Sequence, residues 1–334
     1  MPRRSSKATI AEVAQRAGVS PATVSRVFNA RFVGRSDVAE RVRTAAAELA
    51  YTPSHLARSL ALGQTEAVAF LVPDLANPAF QTILSAMSKT AARDGYRVLV
   101  ADSAESPDDE PLLASQTRRR CDAIVLCAPR MAKEKLLALA DQLRPLVLIN
   151  RPDPGFAVPS LSIDYRSGIA RLAEHLHQLG HRRLVYLGGP PNSVSDHHRR
   201  QGLTDFERRH GDVVIDRLAA GAAIEDGLAL AGTVRNSGAT AALAFNDLVA
   251  IGLLNGLGRL GLTVPDDISV AGFDDIPFAS FTTPPLTTAS VPHAELGAAA
   301  WRRLCQTLRG QPADGDELFP TRLELRASTG PLPS

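Results

Sequence analysis

The sequence predicts an α/β protein built in two parts: a small all-α helix-turn-helix head and a larger body of parallel sheets covered by helices. Three observations carry that prediction. Residues 9–29 read as a capped helix, a glycine turn and a second helix. From about residue 66, short apolar runs alternate with helical stretches, the pattern of repeated βα units. Charge is also unevenly shared. Residues 1–62 hold ten bases and four acids, a net +6, while the remaining residues hold 27 bases and 31 acids, a net −4. A basic head on a mildly acidic body suits phosphate neutralisation by the head alone.

Thr9-Ile10-Ala11-Glu12 has the form of a capping box and opens a helix whose Ile10, Val13, Ala14 and Ala17 make an apolar stripe. Gly18 supplies the tight turn. Ser20 then suits an N-cap and Pro21 the first helical position, where a missing N–H costs nothing. Val24, Val27 and Phe28 share the inward face of this second helix. Its outward face offers Thr23, Ser25, Arg26 and Asn29, short donors and one guanidinium without a carboxylate. A merely solvated helix would carry long Glu and Lys side chains there. Donors without carboxylates suit a polyanion, and the arrangement is that of a helix laid in a DNA groove. A third helix over about 36–49, with Ser36 as its cap, turns Val38, Val42, Ala46 and Leu49 inward. The plainer alternative, an α-hairpin within a larger helical domain, leaves the charge of the head unexplained.

In the body, strands are expected at Ala67–Val72, Tyr96–Ala101, Asp122–Cys127, Pro145–Ile149, Arg183–Leu187, Ala241–Phe245 and Ile268–Gly272, with helices in such stretches as 79–93, 165–179 and 247–260. Parallel sheets of this kind bind ligands beyond the carboxyl ends of their strands. Polar residues stand there: Asp74, Asp102, Asn150 with Arg151, Asn246 with Asp247, and Asp274 with Asp275. A single carboxylate at such a place is readily a helix N-cap. A repeated set of acids and amides describes a cleft for a hydroxyl-rich ligand.

Other classes are excluded on simple grounds. A chain of 334 residues calls for two or three cores. No apolar run is long enough to span a bilayer, and Met1-Pro2-Arg3-Arg4 lacks the apolar stretch of a secretory signal, so a cytoplasmic protein without a membrane partner is expected. Cys121, Cys127 and Cys305 are too scattered for a zinc or redox motif and suit a reducing compartment. Gly256-Leu257-Gly258-Arg259-Leu260-Gly261 fits the dinucleotide spacing but ends a helical stretch instead of following a strand. His175 and His177 are two apart and cannot share a helix face, and His197-His198 lacks acidic or sulfur companions, so no metal site is expected. Arg118-Arg119-Arg120 reads as a solvated helix end. No catalytic constellation and no cofactor motif is present, and an enzyme is not expected.

These residues resemble the LacI/GalR family of transcriptional regulators. Thr9 to Asn29 follows the family pattern T-I-x-x-V-A-x-x-A-G-V-S-x-x-T-V-S-R-V-x-N almost residue for residue. Further matches reach the far end of the chain: Val72-Pro73-Asp74-Leu75-Ala76-Asn77-Pro78, Leu179-Gly180-His181-Arg182-Arg183, Phe245-Asn246-Asp247, Val264 to Val270, Gly272-Phe273-Asp274-Asp275 and Pro284-Pro285-Leu286-Thr287-Thr288.

The resemblance implies a head at 1–51, a hinge at 52–63 and, at 64–334, a periplasmic-binding-protein-like body of two doubly wound α/β subdomains. The first subdomain takes about 64–163 and 292–322, the second about 164–291 and 323–331, with crossovers near 163, 291 and 322. It implies a homodimer on a pseudo-palindromic double-stranded DNA operator, controlled by a small-molecule effector. Arg26 is then the base reader, Pro21 and Ala22 offer only apolar contacts, and Thr9, Ser20, Thr23, Ser25, Asn29 and Tyr51 contact the DNA backbone. Thr52 and Pro53 suit the start of a hinge helix about two turns long, below the length stable alone. In it Ser54 and Ala57 face DNA and Leu60 wedges a minor-groove base step; a mere tether is the alternative. Asp74, Phe80, Asn150, Arg199, Asn246 and Asp274 are the implied effector contacts, with Asp102 added by its strand-end position.

The sequence departs from the family pattern twice. Val33-Gly34 is shifted by one and Val38-Ala39 stands at the Thr-Arg sites, where Arg31 and Arg35 offer replacement contacts. Ala79 stands where an aromatic residue is frequent, which favours a sugar or sugar acid over a nucleoside. Two rival functions, a periplasmic sugar-binding protein and an α/β enzyme acting on a polyol or sugar, account for the body and leave the basic head without a purpose.

Overall fold

The computed structural model describes residues 8–28, 32–52, 63–152, 155, 157–312 and 315–332. The chain forms two compact units, Met1–Glu66 and Ala67–Ser334.

The first unit contains α1 (Ile10–Ala17), α2 (Pro21–Phe28) and α3 (Ser36–Glu48). Both limbs of the expected capping box are present: the Glu12 amide donates to Thr9 Oγ1 at 3.3 Å and the Thr9 amide to Glu12 Oε2 at 2.6 Å. Gly18 ends α1 with φ 68°, a left-handed conformation that a Cβ would strain. Ser20 caps α2, accepting from the Thr23 amide at 3.2 Å. One expectation is corrected. Ser36 is the first helical residue of α3 and not its cap; Arg35 holds the cap position without a side-chain hydrogen bond, its guanidinium drawn instead to Asp37. Val13, Ala14, Ala17, Val24, Val27, Val42, Ala45 and Ala46 close one small core, with Ala39 and Leu49 half-buried against it; Val38, expected inward, is half-buried and not among the residues packed on it.

The second unit begins with β1 (Ala67–Val72), α4 (Pro78–Arg93), β2 (Arg97–Asp102), α5 (Glu110–Arg118), β3 (Ala123–Cys127), α6 (Lys133–Leu143), β4 (Leu146–Ile149) and β5 (Ser160–Ile163). It continues with α7 (Tyr165–Gln178), β6 (Arg183–Gly188), α8 (Val194–Arg209), β7 (Val214–Ala219), α9 (Ile224–Asn236), β8 (Ala241–Ala244), α10 (Asp247–Arg259) and β9 (Ser269–Asp274). A 3-10 helix (Pro277–Phe281), β10 (Thr287–Ser290), α11 (His293–Leu308), β11 (Glu317–Phe319) and β12 (Arg322–Glu324) complete it.

The strands form two six-stranded sheets, ordered β11-β5-β4-β3-β1-β2 and β12-β10-β9-β8-β6-β7. Pairing is parallel throughout except for β12, which lies antiparallel to β10 at one edge. The chain leaves the first sheet after Ile163, returns to it after Ser290 and leaves again after Phe319. Residues at or after strand ends of both sheets, among them Asn77, Asn150, Phe245 and Asp274, line one common cavity.

Several strands were not legible as apolar runs. β5 and β10 read Ser-Leu-Ser-Ile and Thr-Thr-Ala-Ser, yet Ser160, Ser162, Thr287 and Thr288 are buried. Neighbouring strands override their weak local signal. Tyr96 lies just before β2, its ring tilted against Trp301 at 5.2 Å, and Pro145 just before β4, its carbonyl accepting from the Ile124 amide at 3.0 Å. The Gly256–Gly261 run sits at the carboxyl end of α10, with Gly256 pressed against Ala231 and Gly261 at φ 77° after the helix. Among the described residues no helix is long and apolar enough to cross a membrane.

Candidate functional site

Two sites follow from this architecture, one in each unit. In the first, Ser20, Pro21, Ala22 and Arg26 are exposed along α2, while Thr23 and Ser25 are half-buried. Ser20 and Thr23 share a 3.0 Å hydroxyl contact, so part of their polarity serves the cap. Arg26 rests its Nε on the Ala22 carbonyl at 3.3 Å, a loose contact that an exposed arginine gives up readily. Thr9 is exposed at the start of α1. Tyr51 packs its ring against Phe28 at 6.0 Å. With no acid in α2, its exposed face repels no phosphate. Asn29, Ser54, Ala57 and Leu60 lie outside the described residues.

The second site lies between the two sheets. Asn77, Phe80, Glu105, Arg130, Asn150, Tyr165, Ser195, Arg199, Phe245, Asp274 and His293 are among the residues around its cavity. Arg199, on α8, is its centre. The side chain is 2% exposed, and its guanidinium carbon lies 4.3, 4.6 and 4.1 Å from the ring centres of Tyr165, Phe245 and Phe273. Cation–π contact partly compensates its lost hydration. Its Nη2 stands 3.9 Å from Asp274 Oδ1, and among the described residues Nε and Nη1 have no hydrogen-bond partner. Burial pushes the Asp274 carboxyl up to about 7 against the pull of Arg199. His293 Nε2 lies 4.0 Å from the same carboxylate oxygen, and burial pushes its imidazole down to about 4.

The opposite wall carries Arg130, which binds Glu105 through Nε at 2.5 Å and Nη2 at 2.9 Å. Buried Glu110 fixes this loop by accepting from the amides of Arg130 and Met131 at 2.8 and 2.6 Å. Asn150, with φ 56° at the end of β4, accepts from the Ile163 amide at 3.1 Å. In this conformation the cavity measures about 30 Å³, room for a little water and too small for a sugar.

Of the residues singled out in the sequence, Phe80, Asn150, Arg199 and Asp274 meet at this cavity. Asp74, Asp102 and Asn246 are not among the residues that line it. Asp74 accepts from the Ala76 amide at 2.7 Å, and Asp102 from the Leu75 and Ala104 amides at 2.9 and 2.8 Å. Asn246 caps α10 through Val249 and donates to the Ala222 carbonyl, each at 2.9 Å. Arg130, Tyr165 and His293 escaped the sequence reading, although each lies just beyond a strand end, where the rule that found Asp274 applies equally.

A basic helical unit with an acid-free exposed helix, followed by a two-sheet body closing on a buried arginine, belongs to the class of DNA-binding regulators with a periplasmic-binding-protein-like body. Comparison with known proteins agrees. Residues 9–54 match the family described as bacterial regulatory proteins, lacI family, and residues 173–329 the periplasmic binding protein-like domain. The chain is 30% identical to the HTH-type transcriptional repressor CytR of Escherichia coli (strain K12), covering 99% of both chains. The solved lac repressor dimer bound to operator and the anti-inducer ONPF matches with TM-score 0.86 at 29% identity, over 97% of this chain and 99% of that one. The transcriptional regulator CelR in complex with cellobiose matches with TM-score 0.71 at 25% identity, over 96% and 99%. The chain belongs to the LacI family: it is a DNA-binding transcriptional regulator and not an enzyme.

Proposed function

We propose that the protein is a repressor that holds a pseudo-palindromic operator as a homodimer and changes its grip when a sugar or sugar acid enters the cleft around Arg199. The observation that carries this reading is Arg199 itself, a buried guanidinium whose Nε and Nη1 lack partners among the described residues, 3.9 Å from Asp274. A buried donor left unpaired costs about 1–3 kcal/mol. A ligand hydroxyl accepts from Arg199 and donates to Asp274 at once, which neither a carbonyl nor an ammonium group does. CelR, which shares this fold, was solved with cellobiose.

On the DNA side, Arg26 reads guanine and Pro21 and Ala22 touch thymine methyl groups. Thr9, Ser20, Thr23, Ser25, Asn29 and Tyr51 hold phosphates, and residues 52–63 form the hinge, with Ser54 and Ala57 towards DNA and Leu60 as its wedge. Apolar side chains exposed on the body support self-association: Leu99 at 45% on edge strand β2, and Phe278 at 59% and Phe281 at 83% on the 3-10 helix. The lac repressor was solved as a dimer on its operator. A regulator of bacterial transcription works beside the chromosome, so we place it in the cytoplasm.

The test is selection of bound genomic fragments, followed by titration of sugars, sugar acids and nucleosides against the selected fragment. A preferred fragment whose occupancy responds to a polyhydroxyl compound is expected. A response to nucleosides alone overturns the ligand class, and no fragment preference at low salt overturns the DNA-binding residues.

A further inference from the structure

Away from the cleft, the end of α7 and the residues after α8 bring metal-ligating side chains together. Glu174 and His177 are three apart on α7 and share a face. His175 makes a separate contact, its Nε2 3.0 Å from Thr329 Oγ1. His210 follows α8, and its Nε2 lies 3.0 Å from Glu174 Oε2 while its ring centre lies 4.4 Å from that of His177. One ligand atom from each of Glu174, His177 and His210 lies within 4.8 Å of the others, and all three residues are half-buried. Asp212 adds a carboxylate, with Oδ2 3.4 Å from His177 Nε2 and 2.6 Å from Arg182 Nε.

We propose that Glu174, His177 and His210 form a divalent-metal site of the zinc class, with the fourth position left to water. Two imidazole nitrogens with one carboxylate suit Zn²⁺ and its borderline neighbours. Mg²⁺ and Ca²⁺ take all-oxygen sets, and softer ions take thiolates. Tetrahedral zinc at ~2.0–2.1 Å from its ligands sets them about 3.3 Å apart, so the 4.8 Å spread closes by small side-chain rotations. The alternative, two independent imidazole–carboxylate hydrogen bonds, accounts for each pair and gives no reason for both rings to face one another beside both acids.

The site reaches past its own ligands. α7 carries Tyr165 at its other end and α8 carries Arg199, both in the effector cleft. A bound ion would therefore tie together the two helices that seat the central arginine. The sequence treated His177 only beside His175; it is His210, 33 positions further on, that completes the set.

The test uses the full-length protein without an affinity tag, stripped with a chelator and titrated with Zn²⁺ by calorimetry and with Co²⁺ by visible absorption. One ion per chain is expected, with imidazole-ligated cobalt bands. Affinity should fall at least tenfold in H177A, H210A and E174Q and stay unchanged in H197A, which alters an imidazole outside the set. Zinc should raise the melting temperature of the parent protein and not that of H210A, with circular dichroism confirming that the variant is folded. Failure to bind Zn²⁺, or binding that H177A and H210A leave unaltered, overturns the proposal.

Discussion

Arg199 and Asp274 lie 3.9 Å apart on the same side of the cleft, too far for a direct hydrogen bond and close enough for one ligand hydroxyl to serve both. Arg199 comes from α8 of the second subdomain and Asp274 from the end of β9, where φ of 110° turns the backbone towards the cavity. Asp274→Asn keeps the shape and tolerates that backbone while removing the charge. It should weaken effector binding by roughly 1.5–3 kcal/mol, the range for hydrogen bonds to charged groups. Operator affinity without effector should be unchanged. Calorimetry with the active sugar and a gel shift without it check both halves.

His293 gives the stability of the body an acid-sensitive limb. Its imidazole is held near 4 in the folded protein against an ordinary 6.5. Between those values the unfolded chain binds the proton and the folded one does not, so stability is present above 6.5 and is lost as pH falls through 4. The loss should approach about 3 kcal/mol. Asp274 acts in the opposite sense: raised from 3.8 to about 7, it contributes stability at acid pH that is lost as pH rises through 7. Urea unfolding from pH 4 to 7.5 should therefore show a steeper gain towards neutral pH in Asp274→Asn and a shallower one in His293→Gln. Parallel curves for the three proteins would refute both assignments.

Gly227 on α9 and Gly252 on α10 allow two helices to touch backbone to backbone. A Cβ on Gly227 would lie 1.9 Å from the Val249 carbonyl oxygen, and one on Gly252 1.9 Å from that of Ile224. Neither carbonyl can move without breaking its helix. Gly227→Ala and Gly252→Ala should each cost about 1–3 kcal/mol or more by overpacking, read as a lower urea midpoint. Gly232→Ala on the same helix, where a Cβ meets nothing within 4 Å, should be neutral or mildly stabilising.

Arg26 is exposed and, among the described residues, bonds to the Ala22 carbonyl of its own helix, so its removal should leave the three-helix unit intact. Arg26→Ala should lose ~1–3 kcal/mol of discrimination between operator and scrambled duplex, the worth of one bidentate guanine contact. Weak, salt-dependent binding should remain. Fluorescence anisotropy with both duplexes at two salt concentrations separates these effects.

Much of the fold was legible because the signals are local. The Thr9–Glu12 capping box, the Gly18 turn and the Ser20 cap each involve residues within a few positions of one another, and the apolar runs of β1, β3 and β6 are unbroken. At α3 the local signal misled by one residue, because Asp37 draws the Arg35 side chain and Ser36 enters the helix uncapped. The strand-end rule located Arg199's partner Asp274 and the turn residue Asn150. It also selected Asp74, Asp102 and Asn246, whose oxygens accept backbone amides, because a carboxylate that caps and one that meets a ligand look alike in sequence.

The sequence by itself determined the three helices of the head, the strands that are apolar runs and the strand ends that bear chemistry, since those depend on contacts a few residues long. Only the tertiary structure decided that Ser160 and Thr287 lie in buried strands, that Arg130 pairs with Glu105 opposite Arg199, and that His177 meets His210. Such contacts join residues 25 to 33 positions apart or depend on how neighbouring strands and helices pack. Their energy arises only once both sheets have closed around a shared core, and no local pattern carries it.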